Sequence, residues 1–509
     1  MYGTFWALLP PIIAILMALI TKEVYSSMLL GILVGALFAA GFSPIGTLNL
    51  VIVDGFSASA SALAGNFCFL IFLGALIHLI EKSGGSRSFG SWASRGIKSR
   101  SGVQAATFGL GLLIFIDDYF NCLTVGSVMR PATDKWRVSR EKLAYLVDAT
   151  AAPVCMIAPI SSWAAAVAGV AADLGTGITG TQLFIRAIPY NFYSLLTFVF
   201  IIALIVMKAD YGKMRVAEEK AQHDSTEGLS AEDEEEQSGT GRTIDLVLPV
   251  VVLIAAVFIS MLYAGGYFGS TPWMGSENAG NLIGALGDTD AFIALPMGTF
   301  VTLLFTCAFY ALRRVLRFKE MVACIPEGFR NMIPAILILT LAMTLKTVTS
   351  ALGADMYIQG MMRGVSSGLT SLLPAVIFLA AVGFSFSTGT SWGSFGILIP
   401  IVTAVFSAND PLLIIGVSAC LAGSICGDHC SPISDTTIMA SAGAQVDHVE
   451  HVTTQLPYAL TVAGICFLTY IVAGFVQSAW LSLLVGVALT VGTLWVIRYA
   501  RKKRNSNSI

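Results

Sequence analysis

The sequence predicts an all-α membrane protein of about eleven transmembrane helices, built as two inverted repeats that each hold a re-entrant helical hairpin and a broken helix. Three observations predict it: the apolarity of the chain, the placement of its basic residues, and a self-similarity at one fixed offset. Of 509 residues, 56% are hydrophobic and 12% charged, and mean hydropathy is +0.78. A water-facing globule of this length cannot hide so much apolar surface. Leu8–Ile20, Ser26–Ala40, Phe67–Ile80, Leu195–Met207, Leu246–Met261 and Leu481–Ile497 are runs suited to crossing hydrocarbon as helices. The first run lacks a basic leader and a cleavage motif, so it reads as a retained span.

Lysine and arginine gather at Lys82 to Arg100, Arg130 to Lys142, Lys208 to Arg242, Arg313 to Lys319 and Arg498 to Arg504. All of these belong on the cytoplasmic side. A single crossing between the first two clusters would expel one of them, so residues 102–129 are expected to dip in and return as a hairpin. The first repeat is then 1–207, with five spans plus that hairpin. An acidic cytoplasmic linker, 208–242, follows as a solvated tether. The second repeat is 243–477, with five spans and a hairpin at 371–407, where an apolar stretch too long for one crossing is interrupted by small and hydroxylated residues. Residues 478–509 add a last span and a basic tail. The N-terminus falls outside and the C-terminus in the cytoplasm of a bacterial inner (plasma) membrane. Only Arg186, Lys346 and Arg363 of the 29 basic residues then lie in the outer half.

A gapless shift of 273 positions sets Asp54-Gly55-Phe56 on Glu327-Gly328-Phe329 and Pro159-Ile160-Ser161 on Pro432-Ile433-Ser434. The same shift lays Asp117-Asp118-Tyr119, at the tip of the first hairpin, on Thr390-Ser391-Trp392, at the tip of the second. With five spans before the linker, the second copy enters the membrane upside down. Inverted repeats place a substrate site at midplane, between the copies, on discontinuous helices.

Irregular backbone inside hydrocarbon persists only where it is buried in protein or lines a wet cavity. Four interruptions therefore mark the site. Phe115-Ile-Asp117-Asp118-Tyr-Phe-Asn121 puts two carboxylates among apolar neighbours, where they require a cation or a proton. One of them can also cap the returning half-helix. Asp148-Ala-Thr150-Ala-Ala-Pro153, continuing to Ser161 and Ser162, offers proline-freed carbonyls and hydroxyls, oxygen ligands of the kind a hard cation prefers. The second hairpin tip supplies Ser387, Thr388, Thr390 and Ser391. Gly427-Asp428-His429-Cys430-Ser431-Pro432-Ile433-Ser434-Asp435-Thr436 adds two carboxylates and an imidazole in one proline-broken span. There, a carboxylate can trade a proton for sodium. His429 titrates near neutrality when unperturbed, and a hydrogen-bonded core histidine is the plainer alternative. The nine cysteines form no disulfide framework, and Cys426 to Cys430 lacks the ligands of a closed zinc site.

On Phe115-Ile-Asp-Asp-Tyr-Phe-Asn and Gly427-Asp-His-Cys-Ser-Pro-Ile-Ser-Asp-Thr, the sequence resembles the NhaC-type sodium/proton antiporter family of the ion transporter superfamily, from the first span to about Val476. The resemblance implies paired inverted repeats with hairpins, bound Na+ as the coupling ion, and its exchange for protons. Related carriers move carboxylates such as malate and lactate, or amino acids, so a small organic solute through the same cleft is the alternative cargo. Na+ would be held by subsets of the residues above, without a transition-metal site or a cofactor. The lipid bilayer is the expected surrounding, a homodimer is left open, and nucleic acid is excluded. An intramembrane hydrolase is disfavoured, because two symmetric half-sites belong to a carrier and not to an enzyme.

Overall fold

The computed structural model describes residues 2–506 apart from 22, 86–87, 90–96, 172–177, 224–240, 272–274, 276–277, 288, 355, 358–366, 407–408 and 433. Every regular element among the described residues is a helix. Nine of these helices are long and apolar enough to cross a membrane, or eleven if each bent pair counts as one span.

The chain opens with α1 (Leu9–Thr21) and α2 (Val24–Ala39), packed closely because Gly31 and Gly35 let Pro10 approach. The Glu23 carboxylate caps α2 by accepting from the amides of Tyr25 and Ser26 at 3.0 and 2.7 Å. α3 (Pro44–Ala62) and α4 (Ala64–Ser83) follow. The apolar runs expected at 8–20 and 26–40 do form helices, but short ones. α1 and α2 have 13 and 16 residues, which is about 20 and 24 Å, short of a ~30 Å hydrocarbon core. α3 does have the length, at 19 residues. Its polar Thr47, Asn49, Asp54, Ser57, Ser59 and Ser61 mask it in the sequence, and a π-helical stretch runs over Asn49–Ser57.

The first hairpin is α5 (Arg100–Leu113) and α6 (Asp118–Lys135). α7 (Arg140–Ile157) and α8 (Ser162–Val170) form a span bent by 55°. α9 (Gly180–Tyr190) and α10 (Phe192–Met207) form another, bent by 40°. α11 (Gly212–His223) leads to α12 (Ile244–Ala264), the short α13 (Leu282–Gly287), α14 (Ala291–Leu312) and the 34-residue α15 (Phe318–Ala351). The second hairpin is α16 (Ser367–Thr388) and α17 (Ser391–Val405), hinged at Gly389, whose φ of 66° suits glycine. α18 (Pro411–Cys430) and α19 (Asp435–Ala444) flank a break at 431–434, and α20 (His448–Val476) and α21 (Ala479–Ser506) complete the chain.

α4 and α15 are in close contact where Gly74 meets Gly328, and farther along Gly55 of α3 meets Thr344. Residue numbers climb on one side as they fall on the other, so the segment made of α3 and α4 runs antiparallel to α15. Two bare glycines let the backbones touch, which gives the bundle a tightly packed centre.

The expected solvated tether at 208–242 is also corrected in part. α11 folds back onto the basic end of the bundle, and Glu218 is buried there. Its carboxylate accepts from the Ser139 amide at 2.7 Å and pairs with Arg100. Before it, Asp210 meets the buried Lys142 ammonium at 2.6 Å and the Tyr458 hydroxyl at 2.8 Å. The acidic run through Glu236 lies outside the described residues.

Candidate functional site

Asp117 is the N-cap of α6. Its carboxylate accepts from the Phe120 amide at 3.0 Å and lies beside the Ser162 side chain. The capping role and the buried carboxylate therefore coexist. Asp118, in the first turn, is 1% exposed, and its Oδ1 has no hydrogen-bond partner among the described residues. Asn121 fixes the hairpin by donating to the carbonyls of Gly111 and Ile114 at 2.8 and 2.7 Å, which closes the frayed end of α5. The Ser162 amide donates to the Ile116 carbonyl at 2.9 Å, tying the hairpin tip to the break between α7 and α8.

In the second half, a hairpin tip again meets the span that follows it. The Ser391 hydroxyl, in the first turn of α17, bonds to Asp428 Oδ2 at 2.8 Å and to the Ser424 carbonyl at 3.1 Å. Aromatic rings join the first broken span to the second hairpin: Trp163 of α8 meets Trp392 of α17 at 6.0 Å edge-on and Phe395 of α17 at 5.7 Å. The Cys122 thiol lies within electrostatic range of Asp148, Asp118, Asp117 and Asp428 together. All four carboxylates are buried, and each acts on that one thiol.

Several expected hydroxyls are occupied by helix ends. Ser161 caps α8 and also donates to the Cys155 and Ala158 carbonyls at 2.6 and 2.9 Å. Thr390 caps α17, and Ser434 caps α19. Thr388 donates to the Phe384 carbonyl at 3.0 Å, and the Ser431 amide closes α18 by donating to the Asp428 carbonyl at 2.9 Å. The side chains of Ser387 and Asp435 lie outside the described residues.

Asp148 sits in a continuous stretch of α7, not at the break itself. Fully buried, it accepts at Oδ2 from Gln455 Nε2 at 2.6 Å and from the Thr437 hydroxyl at 3.0 Å. His451 Nε2 stands 3.4 Å from Oδ2, and His429 Nε2 stands 4.0 Å from Oδ1. The Tyr193 hydroxyl reaches His429 Nδ1 at 3.3 Å. One side chain of the first half thereby meets α18, α19 and α20. Sequence reasoning missed Gln455, His451, Thr437 and Tyr193. A glutamine just before an apolar span was the available signal, while His451 lay outside the apolar run.

Among the described residues, no three His, Cys, Asp or Glu side chains are grouped so as to hold a metal ion. A cation at the tips would therefore need hydroxyl and carbonyl oxygens beside the carboxylates, a donor set that fits a hard ion.

A sequence profile of the Na+/H+ antiporter family matches residues 154–475. The chain belongs to the Na+/H+ antiporter family. An uncharacterized protein of Haemophilus influenzae is 36% identical, over 98% of this chain and 96% of its own length. The malate-2H+/Na+-lactate antiporter of Bacillus subtilis is 28% identical over 36% of this chain and 39% of its own. Among solved structures, the Alcanivorax borkumensis YdaH transporter superposes with a TM-score of 0.55 at 14% identity, over 88% of this chain and 97% of that one. At that identity the likeness is one of fold alone. This antiporter-family chain is a helical, multi-span membrane protein and a secondary transporter.

Proposed function

We propose that the protein exchanges Na+ for H+ across a bacterial inner membrane by alternating access, with the two cations competing for buried midplane carboxylates. The observation that carries this reading is the adjacent pair Asp117 and Asp118. Both are buried, and neither enters an ion pair among the described residues. Two carboxylates in that setting take up a small cation or protons, because an uncompensated buried charge is prohibitive. Na+ is received between the hairpin tips, by Asp117, Asp118 and Asp428 with the Ser162 and Ser391 hydroxyls.

The two halves act as inverted copies that rock about this point. The antiparallel contact of α4 with α15, and the recurrence of hairpin followed by broken helix, support that arrangement. The basic end, where α11 docks, is the cytoplasmic side.

In sealed proteoliposomes containing only the purified protein, an imposed Na+ gradient should drive proton movement in the opposite direction without any organic solute. A second reading, exchange involving an organic acid, is favoured by the partial similarity to the malate-lactate antiporter. Proton movement that requires added malate or lactate would replace the first reading with the second.

A further inference from the structure

The cluster around Asp148 differs in chemistry from the hairpin tips. The tips present carboxylates and hydroxyls, whereas Asp148 is flanked by two imidazoles. Around it, Asp148 Oδ1, His429 Nε2, both ring nitrogens of His451 and Gln455 Oε1 are buried without a hydrogen-bond partner among the described residues. Buried polar atoms in folded proteins nearly always find partners, so a concentration of orphans calls for an explanation. We propose that the exchangeable proton is carried at Asp148 by the imidazole of His451, while the hairpin-tip carboxylates hold Na+. This rests on the exchange of Na+ for H+ but moves the proton off the Na+-holding carboxylates, so that the competition acts through charge repulsion and not at a shared ligand.

Geometry fits the assignment. Oδ2 of Asp148 receives two donors, from Thr437 and Gln455 at 3.0 and 2.6 Å. That arrangement suits a carboxylate, which only accepts. A buried carboxylate needs a positive partner, yet no lysine or arginine pairs with it among the described residues. His451, 0% exposed and 3.4 Å away, can supply that charge by binding one proton. The groups facing the pair from other helices are His429 of α18, Thr437 of α19, Tyr193 of α10 beyond His429, and Cys122 of α6.

The step balances simply. The ring N–H bond of His451 breaks, the nitrogen keeps the electron pair, and a cytoplasmic water leaves as hydronium; uptake reverses this. Coupling has a structural route, since Asp428 is followed in α18 by His429, whose Nε2 stands 4.0 Å from Asp148 Oδ1. In a low-dielectric interior, Na+ at the tips and a proton on the imidazole repel each other, so arrival of one expels the other.

The test compares two fluxes in proteoliposomes, Na+/Na+ exchange and Na+-driven proton movement, for wild type, His451→Gln and Asp148→Asn. His451→Gln should keep Na+/Na+ exchange, and both variants should lose at least about tenfold in proton movement, at the scale of losing one proton-transferring group. Equal loss in both fluxes for His451→Gln, or retention of both fluxes in either variant, overturns the assignment. If neither variant inserts, infrared difference spectra of the wild type, with and without Na+, decide it. Histidine ring bands sensitive to ring-15N labelling should change on adding Na+. Loss of a carboxylic-acid carbonyl band without such a change would place the proton on an aspartate instead. A wild type that exchanges Na+ but moves no protons refutes the antiport reading and this inference with it, an outcome separate from failure of the variants alone.

Discussion

Replacing Asp210 with asparagine isolates one well-defined electrostatic contact. The Lys142 side chain is 1% exposed, and its ammonium lies 2.6 Å from the Asp210 carboxylate. The Tyr145 and Tyr458 rings stand 5.5 and 5.2 Å from the same nitrogen. Removing one partner of a buried pair costs about 3–5 kcal/mol, chiefly because the other charge stays buried. Asp210 is 18% exposed, and the two rings soften the loss by up to ~1 kcal/mol each. The expected destabilisation of Asp210→Asn is therefore about 2–3 kcal/mol. Adding Lys142→Met removes the stranded charge, and the double variant should return to within ~1 kcal/mol of wild type. Reversible unfolding of the purified protein in detergent, run on the four members of the cycle, measures this. A single variant as stable as wild type, or a double variant no better than the single, would refute the reasoning. The pH dependence has a definite sign. Burial pushes the Asp210 carboxyl up, but the Lys142 charge and the hydrogen bonds from Lys142 and Tyr458 outweigh it and hold it below the usual aspartate range. Its contribution is present above that range and is lost as pH falls through the depressed value. Asp210→Asn should lack this acid-side loss.

Glu218 carries the opposite sign. Burial raises its carboxyl above the ordinary glutamate value, against the pull of Lys142 and Arg100. Docking of α11 should be firmest below the ordinary value and weaken as pH rises through the raised one. Hydrogen exchange of the α11 amides should follow this trend in wild type and lose it in Glu218→Gln. Asn121→Leu frees the Gly111 and Ile114 carbonyls at the end of α5. It should destabilise by about 1–3 kcal/mol for each buried acceptor left alone, read in the same unfolding assay.

The parts of this fold that announced themselves in sequence are those where polarity interrupts apolarity. Asp117-Asp118 and Ser385 to Ser394 stand out against flanks that could only be buried, so both hairpins were legible. Helix lengths near the N-terminus were less legible for the same reason. α1 and α2 are purely apolar but short, while α3 carries Asp54 and several serines, which apolar-run reasoning penalises. Helix length depends on where capping begins, and Glu23 closing α2 is a contact that composition does not encode. Docking of α11 was illegible because its residues form an unremarkable charged stretch. Only the fold brings Arg100 and the Ser139 amide to Glu218. The Asp148 cluster needed three dimensions as well: Thr437 and Gln455 lie 289 and 307 positions further along the chain than Asp148, with His451 between them, and no local pattern joins them.

In the proposed exchange, Na+ is received by Asp117, Asp118 and Asp428 between the two hairpins. Equilibrium binding of radioactive 22Na+ to purified wild type, Asp118→Asn and Asp428→Asn tests this without any assumption about transport. Saturable binding in wild type, abolished in both variants while each remains folded and monodisperse, is the expected result. Undiminished binding in both variants would contradict it.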